Sequence, residues 1–223
     1  FLKLALTPFE ESRENKNKNE LPASGEMKDL IQATSLTNDE FQKINSFSEY
    51  SLIVLANLQN LKTDNAKELE IFTANGGGVL ICSGNQMEID WYNNTWGAKG
   101  SNFLPMPIKR AQGNLQNELS YSKISSSLFE HPALSMFNDP RNGSLAEAQI
   151  KKWMVMDESK IRNDPTVTVL ARLTNGQPIL AEKKFGKGAV MLWGTSIDTD
   201  WTNLPARPSF LPFTQQIASY LSE

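Results

Sequence analysis

Cys82 is the only cysteine in the chain, and it closes an aliphatic run, Val79-Leu80-Ile81-Cys82, just before a small polar segment, Ser83-Gly84-Asn85-Gln86. A thiol placed where a strand gives way to a turn can attack a carbonyl carbon. It must first ionise, a partner must carry the proton to the leaving group, and backbone amides must receive the oxyanion. The partner is hard to find, because the chain has one histidine, His131, in the loop-rich stretch around Glu130-His131-Pro132-Ala133. Without a base or electropositive surroundings a thiol stays protonated at neutral pH, since its ordinary pKa is about 8.5. Free cysteine is also among the residues most often buried. The residue types therefore favour a structural Cys82, and no catalytic residue is assigned.

A second group of polar residues lies in Thr195-Ser196-Ile197-Asp198-Thr199-Asp200-Trp201-Thr202-Asn203-Leu204-Pro205, directly after an aliphatic run. Ligands of open α/β sheets bind beyond the carboxyl ends of the strands. Ser83, Gly84, Asn85, Asp198, Asp200 and Trp201 are accordingly the candidate ligand-binding residues. Two aspartates fall well short of the roughly six to eight oxygens that calcium takes, so no metal is expected. The plainer reading is that Asp, Thr and Asn here tie up loop amides and lead into the last helix, while Trp201 and Leu204 pack on the sheet. Gly186-Lys187-Gly188 lacks the remaining positions of a phosphate loop and reads as a turn between strands. No cofactor is expected. Trp91, Tyr92 and Trp96 could line a groove, but their helical spacing favours the core.

The elements that would position these residues follow an α/β rhythm. Leu52-Ile53-Val54-Leu55-Ala56 and Val79-Leu80-Ile81-Cys82 are continuous aliphatic runs, which read as parallel strands buried on both faces. Between them, Thr63-Asp64 opens a helix with Ala66, Leu69, Ile71 and Phe72, which Asn75-Gly76-Gly77-Gly78 ends. A short strand is expected at Leu30-Ile31-Gln32-Ala33, and a helix after Asn38-Asp39. Residues 89 to 96 should form a short helix, and 103 to 108 an extended segment. Strands are expected at Lys152 to Met156, Thr166 to Leu173, Gln177 to Lys183 and Ala189 to Trp193, with Asn175-Gly176 supplying a tight two-residue hairpin turn. Phe210, Phe213, Ile217, Tyr220 and Leu221 fall at helical spacing in a closing helix from about Ser209 to Leu221. The predicted architecture is a three-layer α/β domain over 1–223, with a mostly parallel central sheet and a C-terminal antiparallel extension.

Composition narrows the function classes. The 223 residues are 39% hydrophobic, enough for one sizeable core. Basic residues number 22 against 25 acidic ones, for a net charge of -3. No segment gathers Lys and Arg on one face, which argues against nucleic acid as a partner. No apolar run nears the roughly 20 residues that span a bilayer, so this segment is not expected to insert into a membrane. Residues 10–26 are rich in Glu, Asn, Lys and Ser and should form a mobile polar loop. Phe1 to Leu6 begin in an apolar rhythm, so we expect a piece of a longer protein whose first strand lies upstream.

Gly77-Gly78-Val79-Leu80-Ile81-Cys82-Ser83-Gly84-Asn85-Gln86 resembles the nucleophile elbow of class I glutamine amidotransferases, a G-x-C-x-G-x-Q setting. Leu80 replaces the glycine two positions before the cysteine and should crowd the elbow. The family's His-Pro-Glu is also missing, because the corresponding late strand runs into Gly194-Thr195-Ser196-Ile197-Asp198. A longer resemblance runs from Tyr50 to the end. Tyr50 to Asn57, Gly76-Gly77-Gly78, Trp91-Tyr92-Asn93, Phe103-Leu104-Pro105, His131-Pro132-Ala133-Leu134 and Gly194 to Pro212 look like the amidotransferase-like domain of bacterial membrane proteins. These are relatives of aerotolerance-operon proteins that carry a von Willebrand factor A domain.

The resemblance implies a flavodoxin-like, non-catalytic binding or scaffold module in a membrane-anchored assembly. Its partners would be other domains or proteins of that assembly, and it would be tethered to the inner membrane on the periplasmic side. A second reading stays open at this point: a hydrolase or amidotransferase using Cys82, with His131 brought in by the fold.

Overall fold

The structure is a computed structural model that describes residues 1–9, 29–126, 128–161 and 163–223. The polar stretch 10–26 lies outside the described residues. Three parallel strands form the centre, β1 (Leu52–Ala56), β2 (Gly78–Cys82) and β7 (Gly188–Trp193), with β2 in the middle. β6 (Pro178–Phe185) runs antiparallel to β7, and β5 (Val167–Arg172) antiparallel to β6, giving the order β1-β2-β7-β6-β5. Four of the five strands therefore point the same way, and the antiparallel hairpin extends the sheet on the side opposite β1. A separate antiparallel ribbon pairs β3 (Ile108–Gly113) with β4 (Lys152–Met156).

Helices cover both faces. α3 (Thr63–Ala74) links β1 to β2, and its Ala66, Leu69 and Phe72 join the core on one face with Ile53, Leu55, Val79 and Ile81. α4 (Ile89–Thr95) adds Tyr92 to the same side. On the opposite face, α6 (Phe210–Leu221) lays Phe210, Phe213, Ile217 and Leu221 over Leu80, Cys82, Met191 and Trp193. This alternation of Val79 and Ile81 with Leu80 and Cys82 follows from the two-residue period of a strand, and it explains why β2 is apolar throughout. α1 (Leu2–Leu6) is tied to α6 where Gln215 Nε2 donates to the carbonyls of Ala5 and Leu6 at 2.7 and 2.9 Å. α2 (Asn38–Phe41) starts at a Thr37/Glu40 capping box, and α5 (Pro132–Ser135) is a single turn.

Two expectations are corrected, and one strand appears that the sequence did not suggest. The strand at Leu30 to Ala33 does not form: Leu30 is fully exposed and, among the described residues, 30 to 36 make no backbone hydrogen bond. An apolar pair flanked by polar residues carried too short a pattern to fix a ladder partner. The connection after β5 is a three-residue loop rather than a two-residue one, since Gly176 donates to Leu173 O and Leu173 to Gln177 O, both at 2.8 Å. Only Gly176 takes positive φ there (84°), the arrangement of a type I turn closed by a glycine bulge. β3, finally, was not anticipated, because Lys109, Arg110 and Gln112 give it little apolar alternation. Its strand character comes from pairing with β4.

Backbone contact fixes α6 on the sheet. A Cβ placed on Gly78 would stand 2.0 Å from the Leu221 carbonyl oxygen, so only glycine lets β2 start beneath the end of α6. Gly78→Ala is therefore predicted to destabilise the fold by about 1–3 kcal/mol, through strain that cannot be relieved by rotating a side chain. Thermal unfolding followed by circular dichroism checks this. An unchanged melting temperature would mean that α6 does not seat against Gly78.

Candidate functional site

The carboxyl ends of β1, β2 and β7 meet at one edge of the sheet, and most of the candidate residues gather there. Cys82 is the last residue of β2, its Cα paired with Ala56 on one side and Trp193 on the other. The ladder then continues past it. Asn57 N–H donates to Cys82 O, and Ser83 N–H to Trp193 O, both at 3.0 Å. The thiol is fully buried in the core under α6. Burial first, and then the charge of the Asp198 carboxylate, push its pKa well above the ordinary thiol range. A reactive thiol needs the reverse on both counts.

The turn after Cys82 is held by Asn57. This residue takes left-handed backbone (φ 53°), which asparagine tolerates better than most. Its side chain donates to Asn85 Oδ1 and accepts from Gln86 N–H, each at 2.8 Å. Gly84 lies so close that a Cβ there would stand 2.1 Å from Asn57 Oδ1. The amides of Ser83 and Gln86 are thus spent on the fold. Ser83 Oγ is buried with no hydrogen-bond partner among the described residues. Sequence reasoning passed over Asn57 as a clamp; the available signal was an asparagine directly after an aliphatic strand.

In the loop after β7 two side chains accept from loop amides. Asp198 Oδ1 accepts from Asp200 N–H at 2.9 Å, and Ser196 Oγ accepts from Trp201 N–H at 3.1 Å. Asp198 is half-buried and Asp200 exposed. Trp201 is buried in the core, with Lys152 Nζ 4.9 Å from its ring centroid, so it offers no surface to a ligand. Of the candidates, Asp198 reaches a groove that it shares with Asn57 and Gln86.

His131 lies elsewhere. Its Nδ1 accepts from Ala133 N–H at 3.3 Å, capping α5, which leaves the proton on Nε2 facing Glu182 Oε2 at 3.2 Å. Both ring nitrogens are therefore occupied. Glu182 sits on β6, level with Leu80 through Met191, two strands and two residues away from Cys82. That separates them by about 10 Å across the sheet and about 7 Å along it. Lys184 Nζ completes a cluster with Glu182 Oε1 at 3.0 Å and Tyr220 OH at 2.8 Å. Burial alone would raise the Glu182 carboxyl. Bonds with His131, Lys184 and Tyr220 more than reverse this and hold it below the usual glutamate range.

No family model matches the sequence, and no curated protein matches it. Solved structures do. Cytoplasmic protein STM1381 from Salmonella typhimurium LT2 superposes with a TM-score of 0.67 at 15% identity, over 100% of this chain and 86% of that one. Cytoplasmic protein STM3548 from Salmonella typhimurium gives 0.59 at 14% identity, over 85% and 76%. A β-galactosidase from Bacillus circulans sp. alkalophilus gives 0.54 at 18% identity, over 81% of this chain but only 23% of the enzyme. At these identities the likeness is one of fold: a mixed α/β domain around a mostly parallel sheet.

In the native protein Cys82 should react with a thiol reagent on the order of 100-fold more slowly than in denaturant, at every pH from 6 to 9. Rapid labelling with an apparent pKa below about 8.5 would show an activated thiol. Removing the His131 ring should leave Glu182 buried and short of a partner, so His131→Ala should cost about 1–3 kcal/mol in denaturant unfolding. The depressed Glu182 carboxyl contributes stability that is present above its unfolded pKa, near 4.3, and is lost as the pH falls through its folded value. Glu182→Gln should lack that acid-side loss; an identical acid limb in the variant would contradict the assignment.

Proposed function

We propose that this chain is a non-catalytic binding or scaffold module with a class I glutamine amidotransferase-like, flavodoxin-like architecture, serving a larger membrane-anchored bacterial protein. The observation that carries this reading is the state of Cys82: buried in the core, next to a carboxylate, and with no histidine in reach. The occupied amides of Ser83 and Gln86 support it further, since an oxyanion hole needs donors that are free. No observation favours the hydrolase alternative. The membrane tether and the periplasmic side are supported by the sequence resemblance from Tyr50 onward. Among the described residues no helix is long and apolar enough to cross a membrane, so a tether would have to come from another segment.

Ammonia release from glutamine is the direct test. The purified protein should stay at the buffer background, because lack of a general acid-base partner alone removes roughly a factor of 10² to 10⁴ in rate. Cys82→Ala should behave identically, apart from a packing loss on the order of 1 kcal/mol. Turnover that disappears in Cys82→Ala would overturn the proposal.

A further inference from the structure

β1 has the composition of an interior strand and the position of an edge strand. Its five residues, Leu-Ile-Val-Leu-Ala, include no charge, no proline and no glycine, yet among the described residues β2 is the one strand bonded to it. Edges of this kind are normally blunted by lysine, proline or a bulge, or covered by another segment. The opposite edge shows such protection: Ile124 bridges to Leu173, and Ser125 N–H donates to Arg172 O at 2.8 Å beside β5. At β1 the ladder runs from Ser51 O, which accepts from Gly78 N–H, to Asn57 N–H, which donates to Cys82 O. Alternate residues of a parallel strand bond to one neighbour. Ile53 and Leu55 therefore turn their backbone groups to β2, and Leu52, Val54 and Ala56 turn theirs outward, where no partner exists among the described residues.

A groove of about 1310 Å³ follows this edge along all of residues 51 to 59, and residues 30–36, which make no backbone hydrogen bond among the described residues, also line it. Small-molecule pockets generally hold about 300–1,000 Å³ in compact form, whereas a five-residue strand needs a channel about 17 Å long. Its apolar lining includes Leu2, Leu6, Phe41 and Ile44. Among the described residues three carboxylates, Glu49, Asp198 and Glu223, line it with one lysine, Lys3. Unpaired amides and carbonyls at strand spacing select an extended backbone, apolar walls select aliphatic side chains, and the carboxylates favour cationic ones.

We propose that the outer edge of β1 binds an extended peptide segment of a partner protein, aliphatic at alternate positions and carrying lysine or arginine at its ends, which adds to the sheet as a further strand. This rests on the reading of the domain as a non-catalytic binding module and names the kind of partner.

The test uses fluorescence anisotropy with two labelled peptides of alternating valine and threonine, one ending in lysines and the other in glutamates. The lysine peptide should bind saturably, about tenfold or more tightly than the glutamate one, and less tightly as salt is raised. Val54→Pro removes an outward N–H that β2 does not use, a change that edge strands tolerate, and should weaken binding at least about tenfold with the circular dichroism spectrum unchanged. Exposed Glu49→Lys should weaken the lysine peptide several-fold and leave the fold untouched. Absence of saturable binding, or equal binding by Val54→Pro, overturns the inference. A concentration-dependent dimer that Val54→Pro abolishes also overturns it, by giving the edge to a second copy of this chain. Each of these results leaves the non-catalytic reading intact, whereas glutamine turnover by the same preparation overturns that reading itself.

Discussion

The hydrogen-bond ladder on both sides of β2 is the constraint on which the rest of the molecule depends. Because it continues through Cys82 to Ser83 and Asn57, the strand cannot bend sharply at the cysteine, and the thiol stays in the plane of core-facing side chains. The same straight course lets α6 settle over Leu80 and Cys82, with its last turn directly on Gly78. An exposed nucleophile would require breaking this ladder at its central strand, where three strands and two core layers meet. Packing therefore fixes where the thiol lies.

A consequence is that polar chemistry is displaced from β2 to its neighbours. At the carboxyl edge, Asn57, Asn85 and Gln86 form a closed set of amide hydrogen bonds, with the Asp198 turn alongside. At β6, two strands away from β2, His131, Glu182, Lys184 and Tyr220 bury a carboxylate by surrounding it with donors. Such a cluster looks catalytic by residue type. Its geometry is that of a satisfied buried charge, which costs little while all partners remain and much when one is removed.

The sequence made the layered architecture legible where patterns were long. The aliphatic runs at Leu52 and Val79, the helix between them and the amphipathic Phe210 to Leu221 stand where periodicity put them, because burial on one or both faces leaves a direct trace in residue type. Strands 152–156, 167–172, 178–185 and 188–193 were equally legible. What stayed hidden depends on partners distant in sequence. Nothing in Ile108 to Gly113 announces that it pairs with residues some forty positions later, and nothing in Leu30 to Ala33 says that no strand will meet it. In the candidate site, Cys82, Asp198 and Asp200 were visible as residue types. The Asn57 clamp and the meeting of His131 with Glu182 were not, because 28 to 51 residues separate the partners.

The β2 ladder runs past Cys82 and leaves no elbow. Residue-resolved amide hydrogen exchange reads that ladder directly. The Ser83 amide should exchange as slowly as those of Leu80 and Cys82, since it is buried and donates to Trp193 O. Fast exchange at Ser83, with Leu80 still protected, would show that the strand opens at the cysteine and would contradict a ladder that runs past it.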